Sequence, residues 1–192
     1  MKTSQRIVRS MAELLRVQGY AATGIQQLAR AAGTPTGSIY HHFRGGKREV
    51  AAAALRESGA AYIQLLPLLL DQHADLPTAI DAAFAAAADD IANTGWANMC
   101  PVATVASEIA DTEPELRQVA AEVIASWADT GSRYLARRGL SQADARAAMY
   151  ALLAALEGGF LLARAQRSAE PLLAAGRAVS AYVATLPAAA RV

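Results

Sequence analysis

The sequence predicts an all-α protein, and three observations predict it. Alanine makes up roughly a quarter of the chain, and it favours helix because it loses no side-chain entropy there and lets neighbouring helices approach closely. Aromatic residues are only 6% of the sequence, and β-branched residues are scattered, which leaves no runs from which to build strands. Apolar residues recur instead at helical spacing, from Ile7, Met11, Leu14 and Leu15 near the start to Met149, Leu152, Leu153, Leu156 and Phe160 near the end. A chain of 192 residues suits one long domain or two short ones and excludes a large multidomain enzyme.

About nine helices follow from the punctuation. Ile7 to Leu15 define an amphipathic helix over residues 3–18, ended by Gly19. Thr23 opens Thr-Gly-Ile-Gln, a capping-box pattern in which Thr23 accepts from the Gln26 backbone and the Gln26 side chain answers. A short helix over 25–32 follows. Gly33 suits a sharp left-handed turn, and Thr34-Pro35 supplies a cap and a first-turn proline for a third helix over 35–43 that stops at Gly45-Gly46. Two short helices joined by a tight glycine turn describe a helix-turn-helix.

The later elements are longer. Residues 47–70 read as one helix, with Tyr62, Leu65, Leu66 and Leu69 on its apolar face. Asp75-Leu-Pro77 starts a fifth that runs to about Ile91, and Pro101 opens a sixth that ends near Asp111. Thr112-Glu-Pro114-Glu115 starts a helix through Leu116, Val119, Val123, Trp127 and Tyr134 that closes at Arg137-Arg138-Gly139, where basic residues and glycine suit a C-terminus. The last two span 142–166, started by Ser141 to Asp144, and about 171–187, and the closing PAAARV is expected to fray.

Charge divides the chain unevenly. Residues 1–50 hold eight basic and two acidic side chains, a net of +6, whereas the remaining ten basic and fifteen acidic residues give −5. A basic head on an acidic body points to a polyanionic partner for the head, against the plainer alternative of chance clustering. The single cysteine, Cys100, cannot form an internal disulfide, and the N-terminus lacks a signal-peptide core, so a cytoplasmic home is expected. No membrane span is expected, because the apolar stretch 150–163 is short and contains Glu157.

The run Ala32-Gly33-Thr34-Pro35-Thr36-Gly37-Ser38-Ile39-Tyr40-His41-His42-Phe43, followed by Lys47, resembles the DNA-binding head of TetR family transcriptional regulators over residues 7–55. Gly45-Gly46-Lys47, Cys100-Pro101-Val102-Ala103 and Glu157-Gly158-Gly159 are similar to the LmrA/YxaF-type subgroup, although Arg44 stands where that subgroup often has proline. The resemblance implies a helix-turn-helix domain over 1–50, an effector-binding and dimerisation domain over 51–192, and a homodimer on a palindromic operator in double-stranded DNA. It implies a regulator, a repressor released by a small lipophilic or aromatic ligand, and neither an enzyme nor a cofactor.

Thr36, Gly37 and Ser38 stand where a recognition helix brings small or polar groups to base edges. Tyr40, His41 and Lys47 resemble the family's phosphate-contacting positions, as do Thr23, Gln26 and Gln27; His42 is divided between packing and phosphate contact, and Tyr40 and Phe43 are also residues a core would use. Adjacent His41 and His42 diverge by about 100° on a helix and cannot share a metal, so no metal site is expected.

Phe84, Trp96, Met99, Cys100, Trp127, Tyr134 and Phe160 are bulky or soft side chains among small aliphatics, and with Glu108 or Asn98 as polar anchor they are candidates to line an effector pocket; core packing explains each one separately. Cys100 is either a small buried hydrophobe or, beside Pro101 at a helix start, a redox sensor. The last two helices carry apolar stripes with Ala151, Ala154, Ala155, Gly158 and Gly159, which suit a four-helix dimer interface or an intrachain core. A nonspecific or architectural DNA binder and a small helical enzyme are the alternative functions.

Overall fold

The computed structural model describes residues 1–109 and 112–188. Among them lie ten helices and no strand, with only an isolated antiparallel bridge between Leu140 and Ala188. They are α1 (Thr3–Gln18), α2 (Ile25–Ala31), α3 (Thr36–His42), α4 (Gly46–Ile63), α5 (Leu65–Leu70), α6 (Leu76–Asn93), α7 (Pro101–Ile109), α8 (Pro114–Arg137), α9 (Gln142–Gln166) and α10 (Glu170–Ala184). The expected end of the sixth helix near Asp111 and the last four residues of the tail lie outside the described residues.

The count exceeds the expected nine because residues 47–70 are not one helix. The chain breaks at Gln64, three residues before Pro67. Proline has no N–H to donate to the Ile63 carbonyl, and its ring crowds the preceding turn, so the helix ends and restarts. Asp75 accepts from the Thr78 N–H at 2.9 Å and Ser141 from the Asp144 N–H at 3.1 Å, so both cap their helices; Thr34 does not cap α3, which starts one residue later than expected with Pro35 as its N-cap and no side-chain hydrogen bond there.

Two compact units emerge, and neither follows a cut after residue 50. The first joins Met1–Ala61 to Met99–Ile124; the second joins Tyr62–Asn98 to the chain from Ala125 onward. In the first, α1 buries Ile7, Val8, Met11 and Leu15, α2 buries Leu28 and Ala29, and α3 buries Ile39. Burying each of these Ile, Val, Met and Leu side chains contributes about 1.5–3 kcal/mol. α7 packs on α1, and Val123 of α8 sits where a Cβ on Gly59 would stand, so α4 and α8 meet closely.

In the second unit α6, α9 and α10 pack around Ile80, Phe84, Ile91, Met149, Leu172 and Val179. A Cβ on Gly176 would lie 2.6 Å from Phe84 Cβ, so glycine there sets how near α10 comes to α6. Ser180 reinforces the same contact by donating to the Pro77 carbonyl at 3.0 Å. α9 is long and apolar enough, by length and hydropathy, to cross a membrane, contrary to expectation, because the alanines flanking 150–163 extend the apolar window. Its inner face is core, while Tyr150, Leu161 and Leu162 are exposed.

Candidate DNA-binding head and effector region

The physical logic of α3 is that one side chain holds it and the rest face out. Ile39 is fully buried, whereas Gly37, Tyr40, His41 and His42 are exposed and Thr36 and Ser38 are half-buried. Tyr40 is 50% exposed, so it is not a core residue; Phe43 is half-buried and closes the helix by donating its N–H to the Ile39 carbonyl at 2.7 Å. A side chain at Gly37 would meet nothing within 4 Å, so packing within the protein does not require glycine there. The His41 and His42 rings lie 5.1 Å apart and inclined at 71°. Among the described residues no three His, Cys, Asp or Glu side chains gather as a metal site would need.

Three expectations around the α1–α2 turn need correcting. Thr23 does not cap α2, since Gly24 occupies that position. Its side chain is 1% exposed; the hydroxyl donates to the Gly19 carbonyl at 2.6 Å and accepts from Gln18 Nε2 at 3.2 Å, so it is not free to meet DNA. Gln27 exchanges two hydrogen bonds with Gln18, at 2.8 and 2.9 Å, which ties α1 to α2, while Gln26 is exposed. Lys47 is half-buried, with its ammonium 4.0 Å from the Tyr20 ring centroid. Burial holds its pKa below the ordinary lysine value, partly offset by the charges of Glu113 and Glu108.

Glu108, expected as an effector anchor, is instead bound to this turn: its Oε2 accepts the Tyr20 N–H at 2.8 Å and the Ala21 N–H at 3.0 Å. The Tyr20 hydroxyl donates to Glu113 at 3.3 Å. Burial, then the Glu113 charge and this hydrogen bond, push the Tyr20 pKa up to about 12. Arg48 pairs with Glu115 at 3.1 Å and Arg56 with Glu122 at 3.6 Å, so acids of α8 neutralise part of the basic count. Arg30 and Arg44 remain exposed on the head. Sequence reasoning counted both as charge and noted Arg44 only as standing where the LmrA/YxaF-type subgroup often has proline.

The other effector candidates are divided between the two units. Met99, Cys100 and Glu108 belong to the first unit, and Phe84, Trp96, Trp127, Tyr134 and Phe160 to the second. Phe84 is 2% exposed and fills the core over Gly176; Trp127 is buried and stacked on Tyr62 at 6.5 Å between centroids. Cys100 is buried, and its sulfur accepts from the Ala103 N–H at 3.5 Å. The second unit does hold a cleft of about 380 Å³, and of the candidates only Tyr134 lines it. Its other walls are Ile63, Leu66 and Pro67, with Asp71, Arg137 and Arg138 supplying charge. Sequence reasoning used the arginines only as a helix-ending signal.

Comparison with known proteins agrees with this architecture. Residues 7–54 match the bacterial regulatory proteins of the tetR family, and residues 77–178 match the C-terminal domain of LmrA/YxaF-like transcriptional regulators. The HTH-type transcriptional regulator YxaF of Bacillus subtilis (strain 168), itself uncharacterised, is 31% identical over 169 residues, 88% of this chain and 88% of its own. The HTH-type transcriptional regulator LmrA of the same organism is 29% identical over 169 residues, 88% and 90% of the two chains. Among solved structures, a TetR regulator from Chloroflexus aurantiacus J-10-FL superposes with a TM-score of 0.74 at 28% identity, covering 98% of this chain and 97% of that one. Regulatory protein TetR from Rhodobacter sphaeroides shares the fold, with a TM-score of 0.80 at 24% identity over 93% and 97% of the chains. An exposed α3 carried on a basic three-helix head, joined to a helical body of this type, makes the chain a member of the TetR family of DNA-binding transcriptional regulators, with an LmrA/YxaF-like C-terminal domain, and not an enzyme.

Proposed function

We propose that the protein works as a homodimeric repressor in the cytoplasm, placing its two copies of α3 in successive major grooves of a palindromic operator and leaving when a small lipophilic or aromatic ligand binds the body. The observation that carries this is the surface of α3, where Thr36, Gly37 and Ser38 lead and Tyr40, His41 and His42 stand outward while Ile39 alone is buried. Thr36 and Ser38 read base edges, Gly37 admits close approach, and Gln26, Tyr40, His41 and His42 contact phosphates. Lys47 joins them only by leaving the Tyr20 ring. The outward faces of α9 and α10, with Tyr150, Leu161, Leu162, Leu173 and Tyr182 exposed, support pairing with a second copy.

The test is fluorescence anisotropy of the full chain on a labelled duplex from upstream of its own gene, against a scrambled duplex, over a salt series. Specific regulators prefer their site by roughly three decades or more, and log affinity falls with log salt at about −0.9 per neutralised phosphate. Tyr40→Ala weakens both duplexes and leaves the slope unchanged, because its neutral hydroxyl releases no counterion, whereas Thr36→Ala narrows the preference between them. Equal, steeply salt-dependent binding to both duplexes supports the nonspecific DNA-binding alternative. Analytical ultracentrifugation of Leu161→Arg checks the dimer: the variant sediments as a monomer if α9 pairs with its copy.

A further inference from the structure

We propose that the cleft between the α4–α5 corner and α8 binds a small organic carboxylate, an acid bearing one ring or a short apolar chain. This rests on the reading that the body answers a small effector, and it assigns that effector a charge. One side of the cleft is apolar, made by Ile63, Leu66 and Pro67, and it exists because Pro67 breaks the helix at Gln64. The other side is α8, with Tyr134 and Arg137.

The charges at the cleft do not cancel. Asp71 accepts from the Tyr134 hydroxyl at 2.6 Å and from Arg138 at 3.2 Å. Arg138 also donates to the Leu70, His73 and Ala74 carbonyls at 2.8–3.2 Å and to the Tyr134 hydroxyl at 2.8 Å. Asp71 Oδ1 and both terminal nitrogens of Arg138 are therefore engaged within the protein, and the two charges offset each other. Arg137, exposed and 5.9 Å from the Tyr134 ring centroid, has no carboxylate within ion-pair distance among the described residues. The lining carries a net +1 beside an apolar wall, which favours a monoanion whose body is greasy. A guanidinium offers two parallel donors that match the two oxygens of a carboxylate. At about 380 Å³ the cleft lies near the small end of ligand sites, which run to about 1,000 Å³. A single ring or short chain fits that volume better than a fused polycycle.

Isothermal titration of the full-length protein with benzoate and 3-phenylpropionate, beside the neutral 3-phenylpropionamide, tests the assignment. At least one acid saturates the protein at millimolar concentration or below, and the amide binds at least tenfold more weakly. Arg137→Gln loses at least tenfold for the acid while leaving the amide unchanged, and Arg137→Lys falls between because a point charge replaces the fork. Leu66→Trp fills the cleft and abolishes both. Circular dichroism confirms that each variant is folded, and Arg137, being exposed, is replaceable without loss of core. Equal affinity for acid and amide, unchanged binding by Arg137→Gln, or no saturation by either acid overturns the proposal. Operator binding measured in parallel keeps the two readings apart: a protein that binds its operator but neither acid remains a regulator without this ligand class, and one that binds acid but no DNA keeps the cleft and loses the regulator reading.

Discussion

Glu108 of α7 holds the turn at Tyr20 by accepting two consecutive backbone amides on one carboxylate oxygen, 2.8 Å from Tyr20 N and 3.0 Å from Ala21 N. These amides sit where α1 has ended and α2 has not begun, so no helix satisfies them. Hydrogen bonds to a charged acceptor contribute about 1.5–3 kcal/mol each, less where water can replace the partner, as at exposed Ala21. Glu108→Ala is therefore expected to destabilise the protein by about 2 kcal/mol in urea unfolding and to weaken operator binding through a displaced α2. Glu108→Gln keeps an acceptor without the charge and loses about half as much. Wild-type stability in Glu108→Ala would show that water serves the two amides equally well.

Gly19 is fixed by the same carboxylate. Its φ of 82° and ψ of −177° lie in a region essentially reserved for glycine, and a Cβ there would overlap Glu108 Oε1. Gly19→Ala carries both penalties, backbone strain of about 1–3 kcal/mol and loss of the Glu108 contact. Adding Glu108→Ala removes the overlap but not the strain. The double variant should accordingly be less destabilised than the sum of the single ones, a non-additivity readable in a denaturant cycle. Strict additivity would mean that the carboxylate swings aside at no cost.

Tyr20 makes alkaline stability diagnostic. Its pKa rises from 10.0 to about 12 on folding, because burial and Glu113 disfavour the phenolate. Between those values the unfolded chain has lost the proton and the folded chain keeps it, so stability falls as pH rises from about 10 to 12. Lys47 works in the opposite sense and starts at lower pH: its lowered pKa means the unfolded state holds the extra proton, so stability rises toward pH 10.5 and offsets only the start of the Tyr20 fall. Tyr20→Phe should flatten the fall and remove one late-titrating group from the phenolate absorbance curve. Tyr134, also raised by burial and by Asp71, stays in that curve as an internal control.

What could be read in the sequence divides by range. The helices, the caps at Asp75 and Ser141, and the recognition helix around Ile39 rest on residues within one or two turns of each other, which periodicity and capping chemistry encode directly. Glu108 meets Tyr20 across 88 residues and Arg138 meets Asp71 across 67, and no local pattern announces either pair. Thr23 misled for a related reason: a threonine before Gly-Ile-Gln has a capping partner ahead of it and the Gly19 carbonyl behind it, and burial against α1 selects the second. The effector candidates were chosen for bulk, and bulk is also what a core of alanines requires, so Phe84 and Trp127 became packing.

Arg138 fastens the segment after α5 to the end of α8. Its guanidinium reaches the Leu70, His73 and Ala74 carbonyls, Asp71 and the Tyr134 hydroxyl, with a side chain 17% exposed. Arg138→Ala leaves three carbonyls and a carboxylate without this donor, a loss of about 2–4 kcal/mol, or roughly 4–16 °C in Tm at 2–4 °C per kcal/mol for a chain of this length. Arg138→Lys should recover only a small part, because one ammonium cannot span acceptors lying on two sides of a planar fork. Asp71→Asn should cost less than Arg138→Ala, since the amide oxygen still accepts from Tyr134 and Arg138 retains its three carbonyls. If the two variants melt together, the carboxylate rather than the backbone carbonyls is what Arg138 is there to hold.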